Sequence, residues 1–158
     1  QGLYKGKKLR LLIGGSGQEE AALKEQVAGL ESRESIRFLG RVQPDVIVAT
    51  YNSCDICVFP SLREGFGVSA IESQACPVPV IITRVGGHPE SVEEGQTGLI
   101  VESKSAETLL AAMDKLMTDD DMRLAMGKKA RDFVVSTYRF EDNFEDISKL
   151  YDMVLENR

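Results

Sequence analysis

Pro60-Ser61-Leu62-Arg63-Glu64-Gly65-Phe66-Gly67-Val68-Ser69-Ala70-Ile71-Glu72 decides how the rest of the chain is read. Ahead of it, Ile56-Cys57-Val58-Phe59 has the length and β-branched content of a strand covered on both faces, and Pro60 ends it. Gly65 and Gly67 then free the backbone for turns that other residues resist. Val68 to Ala75 is competent for a helix, so its free N–H groups and the positive end of its dipole point out of the glycine loop, a geometry suited to a phosphate. Glu64 and Glu72 stand with seven residues between them. A carboxylate accepts hydrogen bonds from two vicinal hydroxyls, so the pair suits a ribose diol at one end and sugar hydroxyls at the other, with a pyrophosphate between. The competing reading has Glu64 capping amides of its own loop and Glu72 facing solvent.

Further stretches follow in order. They are Ala75-Cys76, Pro79-Val80-Ile81, Gly86-Gly87 with Glu90, and Thr97-Gly98-Leu99-Ile100-Val101. Upstream lie Leu12-Ile13-Gly14-Gly15-Ser16-Gly17 and Ile36-Arg37-Phe38-Leu39-Gly40-Arg41-Val42. With the central stretch, they make nearly the whole chain resemble the C-terminal, donor-binding half of retaining GT-B glycosyltransferases. The group in question is glycogen-synthase-like, the group 1 or family 4 glycosyl transferases.

That resemblance implies a transferase that moves a hexosyl group from a nucleotide-diphosphate sugar to an acceptor, without a metal or cofactor. It implies that Glu64 is catalytic, contacting the donor sugar and stabilising positive charge at the anomeric carbon. It further implies that amides at Gly65, Phe66, Gly67 and Val68 receive sugar and diphosphate oxygens, and that Glu72 binds the ribose. Arg41 and Val42 would lie against the base, although a solvated turn explains them equally well. Two other classes remain open: a related nucleotide-sugar epimerase or hydrolase, and a non-catalytic binding module that keeps the two glutamates without using them.

The remaining sequence alternates strands and helices. Lys8 to Ile13 reads as a strand, Glu19 to Leu30 as a helix, Ile36 to Leu39 as a strand and Pro44 to Asn52 as a helix. Strands at Pro79 to Thr83 and Gly98 to Val101 follow. With right-handed crossings this predicts an α/β doubly wound parallel sheet whose ligands sit at the carboxyl ends of the strands. The glycines after Ile13 read as a structural turn, because Glu19 and Glu20 place negative charge where a phosphate would sit. Pro77 stands where the resembling family has glycine, so the helix carrying Glu72 is expected to stop by Cys76 without a left-handed cap. His88, the single histidine, reads as a solvated loop residue, and Glu90 as structural.

Apolar stripes mark three terminal helices within 105–158. The first carries Leu109, Leu110, Met113, Leu116 and Met117, the second Met122, Ala125, Met126, Ala130, Phe133 and Val134, and the third Phe140, Phe144, Ile147, Tyr151 and Val154. Thr118-Asp119-Asp120-Asp121 separates the first two with helix-start chemistry.

Composition excludes several classes. The 158 residues are 42% hydrophobic and 28% charged, as for an ordinary globular domain, and the net charge of −6 argues against a nucleic-acid partner. No apolar run approaches a membrane span. Three cysteines, Cys54, Cys57 and Cys76, read as small core residues of a cytoplasmic protein, since no second Cys pair or histidine cluster completes a metal site. Any peripheral membrane contact is left to a missing domain.

The resembling family opens its donor domain with one more strand and helix, which carry a phosphate-binding Arg and Lys, and it precedes them with an acceptor domain. Neither is found before Lys8. The 158 residues therefore read as a partial nucleotide-sugar-binding domain lacking its first strand, and by itself the chain is expected to transfer no sugar. The third stripe and an open strand edge predict self-association of the chain, with Phe140 and Phe144 contributing. Sedimentation velocity at rising concentration should show species larger than a monomer, together with binding of a hydrophobic dye; a clean monomer that ignores the dye would contradict this.

Overall fold

The computed structural model describes residues 3–156, apart from the side chains of Phe140, Glu141 and Asn143. The chain divides after Ile47 into two compact units. In the first, β1 (Leu3–Tyr4) and β2 (Lys7–Lys8) form an antiparallel hairpin. Lys5 and Gly6 turn it with φ of 45° and 82°, the two positive values that a tight hairpin turn needs. This hairpin takes Lys8 out of the expected first strand, and β3 is confined to Leu11–Gly14. From β3 the chain passes through α1 (Glu20–Ala28) to β4 (Ile36–Gly40), which pairs parallel to β3 with an irregularity between Ile13 and Gly14. Pro44 opens α2 (Pro44–Asn52), where its missing N–H costs nothing, and the helix from Val48 on, with Tyr51, belongs to the second unit.

The second unit holds a three-stranded parallel sheet of β5 (Cys57–Phe59), β6 (Val80–Thr83) and β7 (Gly98–Val101), with β6 in the middle. The expected parallel strands are thus present, in two sheets of two and three strands among the described residues. Burial follows position in the sheet. Val80, Ile81 and Ile82 have no exposed surface, each contributing about 1.5–3 kcal/mol of hydrophobic stabilisation. Ile56, Val58 and Phe59 are only half-buried, because β5 has one paired edge among the described residues; the expectation of a strand covered on both faces fits β6 better than β5.

Side chains of β6 alternate between two layers, as a period of two requires. Val80 and Ile82 join Cys57, Ala70, Val78 and Val92 on the side of α3 (Val68–Ala75). Ile81 joins Val101, Ala112, Leu116 and Met126 on the side of α4 (Ala106–Thr118) and α5 (Asp120–Thr137). Leu110 and Ala125, expected on these stripes, are exposed instead. Residues 109, 112, 113 and 116 already fill the arc of α4 that meets the sheet, and Leu110 lies a quarter-turn off it. Asp119 ends α4 and caps α5, its carboxylate accepting the Met122 N–H at 2.8 Å, as the acidic run predicted. In α6 (Phe140–Glu156), Phe144, Ile147, Tyr151 and Val154 are all more than half exposed; the Phe140 side chain lies outside the described residues.

The end of α3 departs from expectation in an informative way. The helix stops at Ala75 with Cys76 as its cap, as the following proline required. Pro77 nevertheless takes φ of 24°, on the left-handed side that its ring opposes. Val78 donates to the Ser73 carbonyl at 3.3 Å, which is the outer bond of a Schellman closure. The inner bond would need an N–H at residue 77, and proline has none. Arg131 of α5 donates to the Ala75 carbonyl in compensation, and Gly127 lets α5 approach the Pro77 carbonyl. Pro77→Gly restores the missing donor and removes the backbone conflict, set against a more flexible unfolded chain. It should raise stability by on the order of 1 kcal/mol in urea unfolding; a loss of stability would show that the turn carries no strain.

Candidate functional site

The loop between β5 and α3 and the loop after β6 meet at the carboxyl ends of their parallel strands, the end at which open α/β sheets bind ligands. Thr83, the last residue of β6, donates its hydroxyl to the Ser61 carbonyl at 2.6 Å and ties the two loops together. Their backbones then come closer than side chains permit. A Cβ on Gly86 would lie 2.0 Å from the Glu64 carbonyl oxygen, and one on Gly87 2.3 Å from that of Gly65. Gly67, at φ of 92°, would drive a Cβ to within 2.5 Å of the His88 ring. Gly86-Gly87 is therefore a support pressed against the glycine loop.

Gly67 is also the N-cap of α3 and offers no capping side chain; the Ala70 N–H bonds back to the Gly67 carbonyl at 2.9 Å, which leaves the N–H groups of Val68 and Ser69 for an outside acceptor. Phe66, at 37% exposure, and Val68, at 61%, flank that opening on the surface. Phe66 packs edge-on against Tyr138, with centroids 5.7 Å apart; Tyr138 packs likewise on Phe133 and donates to the Glu90 carbonyl at 3.0 Å. Glu90 itself is exposed, and its main chain is the part that anchors.

Glu64 is half-buried. Its carboxylate accepts the Ser61 hydroxyl at 3.3 Å and the Gly65 N–H at 3.2 Å, which is the loop-capping arrangement set out as the competing reading. Each oxygen keeps a lone pair for a further donor. Glu72 projects from α3 into solvent and accepts a bond from the Tyr51 hydroxyl at 3.3 Å. Arg63 is exposed.

His88 is not the solvated residue expected from its loop position. It is 1% exposed, lying beneath Gly67 and edge-on to Phe59, with Nδ1 lacking a partner among the described residues. Burial pushes its pKa down against the opposing pull of the Glu64 carboxylate, so the ring is neutral at pH 7. The cysteines conform to expectation: Cys57 is buried, and Cys54 and Cys76 pack half-buried against the same cluster.

Arg41 and Val42 belong to the first unit. Val42 approaches Gly14 at the carboxyl end of β3, where the Gly15 N–H donates to the Gly40 carbonyl at 2.7 Å, and Arg41 is exposed. A cleft of about 260 Å³ among Lys8, Arg10, Leu12, Glu34, Ser35 and Arg37 lies toward the opposite, amino-terminal end of the β3–β4 pair. It therefore lies away from the end at which such folds bind ligands.

The family model for glycosyl transferases group 1 matches residues 2–133. The chain belongs to the group 1 glycosyl transferases. It is 36% identical over 139 residues to a D-inositol 3-phosphate glycosyltransferase of Corynebacterium jeikeium, a match covering 88% of this chain and 33% of that protein. Among solved structures, a glycosyltransferase from Rickettsia africae superposes with a TM-score of 0.86 at 27% identity, over 98% of this chain and 42% of the other. Anabaena HepE in complex with UDP-glucose superposes with a TM-score of 0.83 at 20% identity, over 92% and 41%, a likeness of fold. The chain thus spans about a third of the length of the curated relative and about two-fifths of these solved chains. The α/β architecture expected from the resemblance, the C-terminal half of a GT-B glycosyltransferase, is the one these matches cover. No helix among the described residues is long and apolar enough to cross a membrane.

Several residues shaping this candidate site were not singled out from sequence. Tyr51, Thr83 and Tyr138 each bridge to a residue 21 to 48 positions away, and nothing in their local sequence marks them. The Gly86-Gly87 pair stood out in the sequence, but its role in close packing did not. Gly86→Ala meets both a positive φ and the Glu64 carbonyl and should cost about 2–4 kcal/mol. Gly95→Ala, with a positive φ but open space around it, should cost about 1 kcal/mol. Equal losses for the two in denaturant unfolding would mean that the loop contact carries no load.

Proposed function

We propose that this chain is the donor-binding half of a retaining glycosyltransferase that takes a hexosyl group from a nucleotide-diphosphate sugar. The observation that carries the reading is the uncapped N-terminus of α3, opening between Phe66 and Val68 and flanked by the carboxylates of Glu64 and Glu72. The UDP-glucose complex of the structurally similar HepE supports a nucleotide sugar as the ligand class.

In this reading the diphosphate lies against the N–H groups of Phe66, Gly67 and Val68, where the helix dipole and main-chain donors offset its charge as the glycosidic bond breaks, while the Gly65 N–H, expected from the resemblance to join them, is already given to Glu64. No metal is required for that neutralisation. Glu64, held in place by Ser61 and Gly65, contacts the sugar and stabilises positive charge growing at the anomeric carbon. Glu72 takes the ribose diol. The setting is a reducing cytoplasm, matching three free thiols. Acceptor binding falls to the other part of the longer protein.

Saturation-transfer NMR with UDP-, GDP- and ADP-glucose tests the reading. One of them should show saturation at both ribose and glucose protons, and Glu72→Gln should weaken its binding by about 1–3 kcal/mol while leaving the fold intact. No saturation with any of the three, or an affinity indifferent to Glu72→Gln, would overturn the reading at that residue.

A further inference from the structure

Glu72 is a carboxylate on an exposed helix face, and a side chain of that length on an open surface samples many rotamers. A diol-binding group works best when its orientation is set before the ligand arrives. The structure supplies a means of setting it. Tyr51, in the last turn of α2, turns its ring against the cluster of Cys57, Ala70, Val78, Val80 and Ile82, so the ring is anchored by the core. Its hydroxyl reaches the rim of that core and donates to Glu72 Oε2 at 3.3 Å. The Ser69 hydroxyl, one turn before Glu72 on α3, lies at the same phenol oxygen. The bond uses Oε2, and Oε1 accepts no hydrogen bond among the described residues.

We propose that Tyr51 is a positioning residue for the donor site: anchored in the core, its phenol holds Glu72 in one orientation with Oε1 turned free for a vicinal diol. The proposal rests on the reading of Glu72 as the ribose ligand. The chemistry of the pair fits the role. Burial pushes the Tyr51 phenol up to about 12 and the Glu72 carboxylate adds to the rise, so at neutral pH the hydroxyl keeps its proton and acts as the donor. Tyrosine suits this task because its rigid ring loses little freedom in holding the bond, where a Lys or Arg at the same place would also add a charge beside the diol.

The test compares the full chain with Tyr51→Phe, Glu72→Ala and the double variant, titrated with UDP, GDP and ADP and with their 2′,3′-dideoxy counterparts. Tyr51→Phe keeps the ring in the core and removes one hydroxyl. It should weaken the ribonucleotide that binds by about threefold to tenfold, the reach of one hydrogen bond. The dideoxy analogue should lose less than twofold, and so should the ribonucleotide when Tyr51→Phe is added to Glu72→Ala. A purely structural tyrosine would weaken both nucleotides alike. If Glu72→Ala weakens the ribonucleotide while Tyr51→Phe does not, or if Tyr51→Phe weakens the dideoxy analogue equally, the positioning role is overturned and the reading of Glu72 survives. If Glu72→Ala changes nothing, or none of the three nucleotides binds, both fall. A ligand-free measurement stands beside these: NMR titration of the Tyr51 ring should show its ionisation moving to lower pH in Glu72→Ala, and an unmoved midpoint overturns the bond itself.

Discussion

The candidate site depends on one close approach, the packing of the Gly86-Gly87 backbone against the carbonyls of Glu64 and Gly65. Main chain against main chain at this distance leaves no volume for a side chain, so the glycine loop is held by a surface that cannot be displaced by rotamer changes. Thr83 fixes the same two loops through the Ser61 carbonyl, and the buried His88 ring fills the space below Gly67. A loop rich in glycine would otherwise be loose, because glycine loses the most backbone freedom on folding. The structure resolves this by making the support itself of glycine, so that contact replaces intrinsic stiffness.

From that loop the order passes into α3. The helix presents its uncapped end to the loop and its far end to Pro77, where a proline sits in a turn that glycine would occupy more easily. Arg131 and Gly127 reach across from α5 to that far end, so the layer of terminal helices is what secures the helix carrying Glu72. The conflict at Pro77 is confined there: the bond from Val78 to Ser73 closes the last turn, and the first turn of α3 lies outside its reach.

The two carboxylates end up in different physical situations. Glu64 is half-buried and held by its own loop, which defines its position before any ligand arrives. Glu72 stands on an exposed helix face and has a single hydrogen-bond partner among the described residues, Tyr51, brought from another helix. The arrangement in which Glu64 caps its loop and the one in which it meets a sugar are therefore compatible, since carboxylate oxygens have lone pairs for both.

Read alone, the sequence determined the elements whose signals are local. Pro44 set the start of α2, the residue before Pro77 set the end of α3, Asp119 set the cap of α5, and the apolar runs located β6 and β7. The glycine loop before a helix marked the candidate site for the same reason: backbone freedom and a free helix end are properties of adjacent residues. Tertiary structure alone decided what depends on residues far apart in the chain. A histidine in a glycine loop has no local mark of burial, and only the crossing of that loop beneath Gly67 excludes water from His88. Tyr51 and Glu72 each fit a helix surface, and only the packing of α2 and α3 around one core cluster brings their oxygens together. Leu110 looked apolar enough for the core, but the arc of α4 facing the sheet was already full, and the competition for that limited area is settled by packing and not by hydrophobicity.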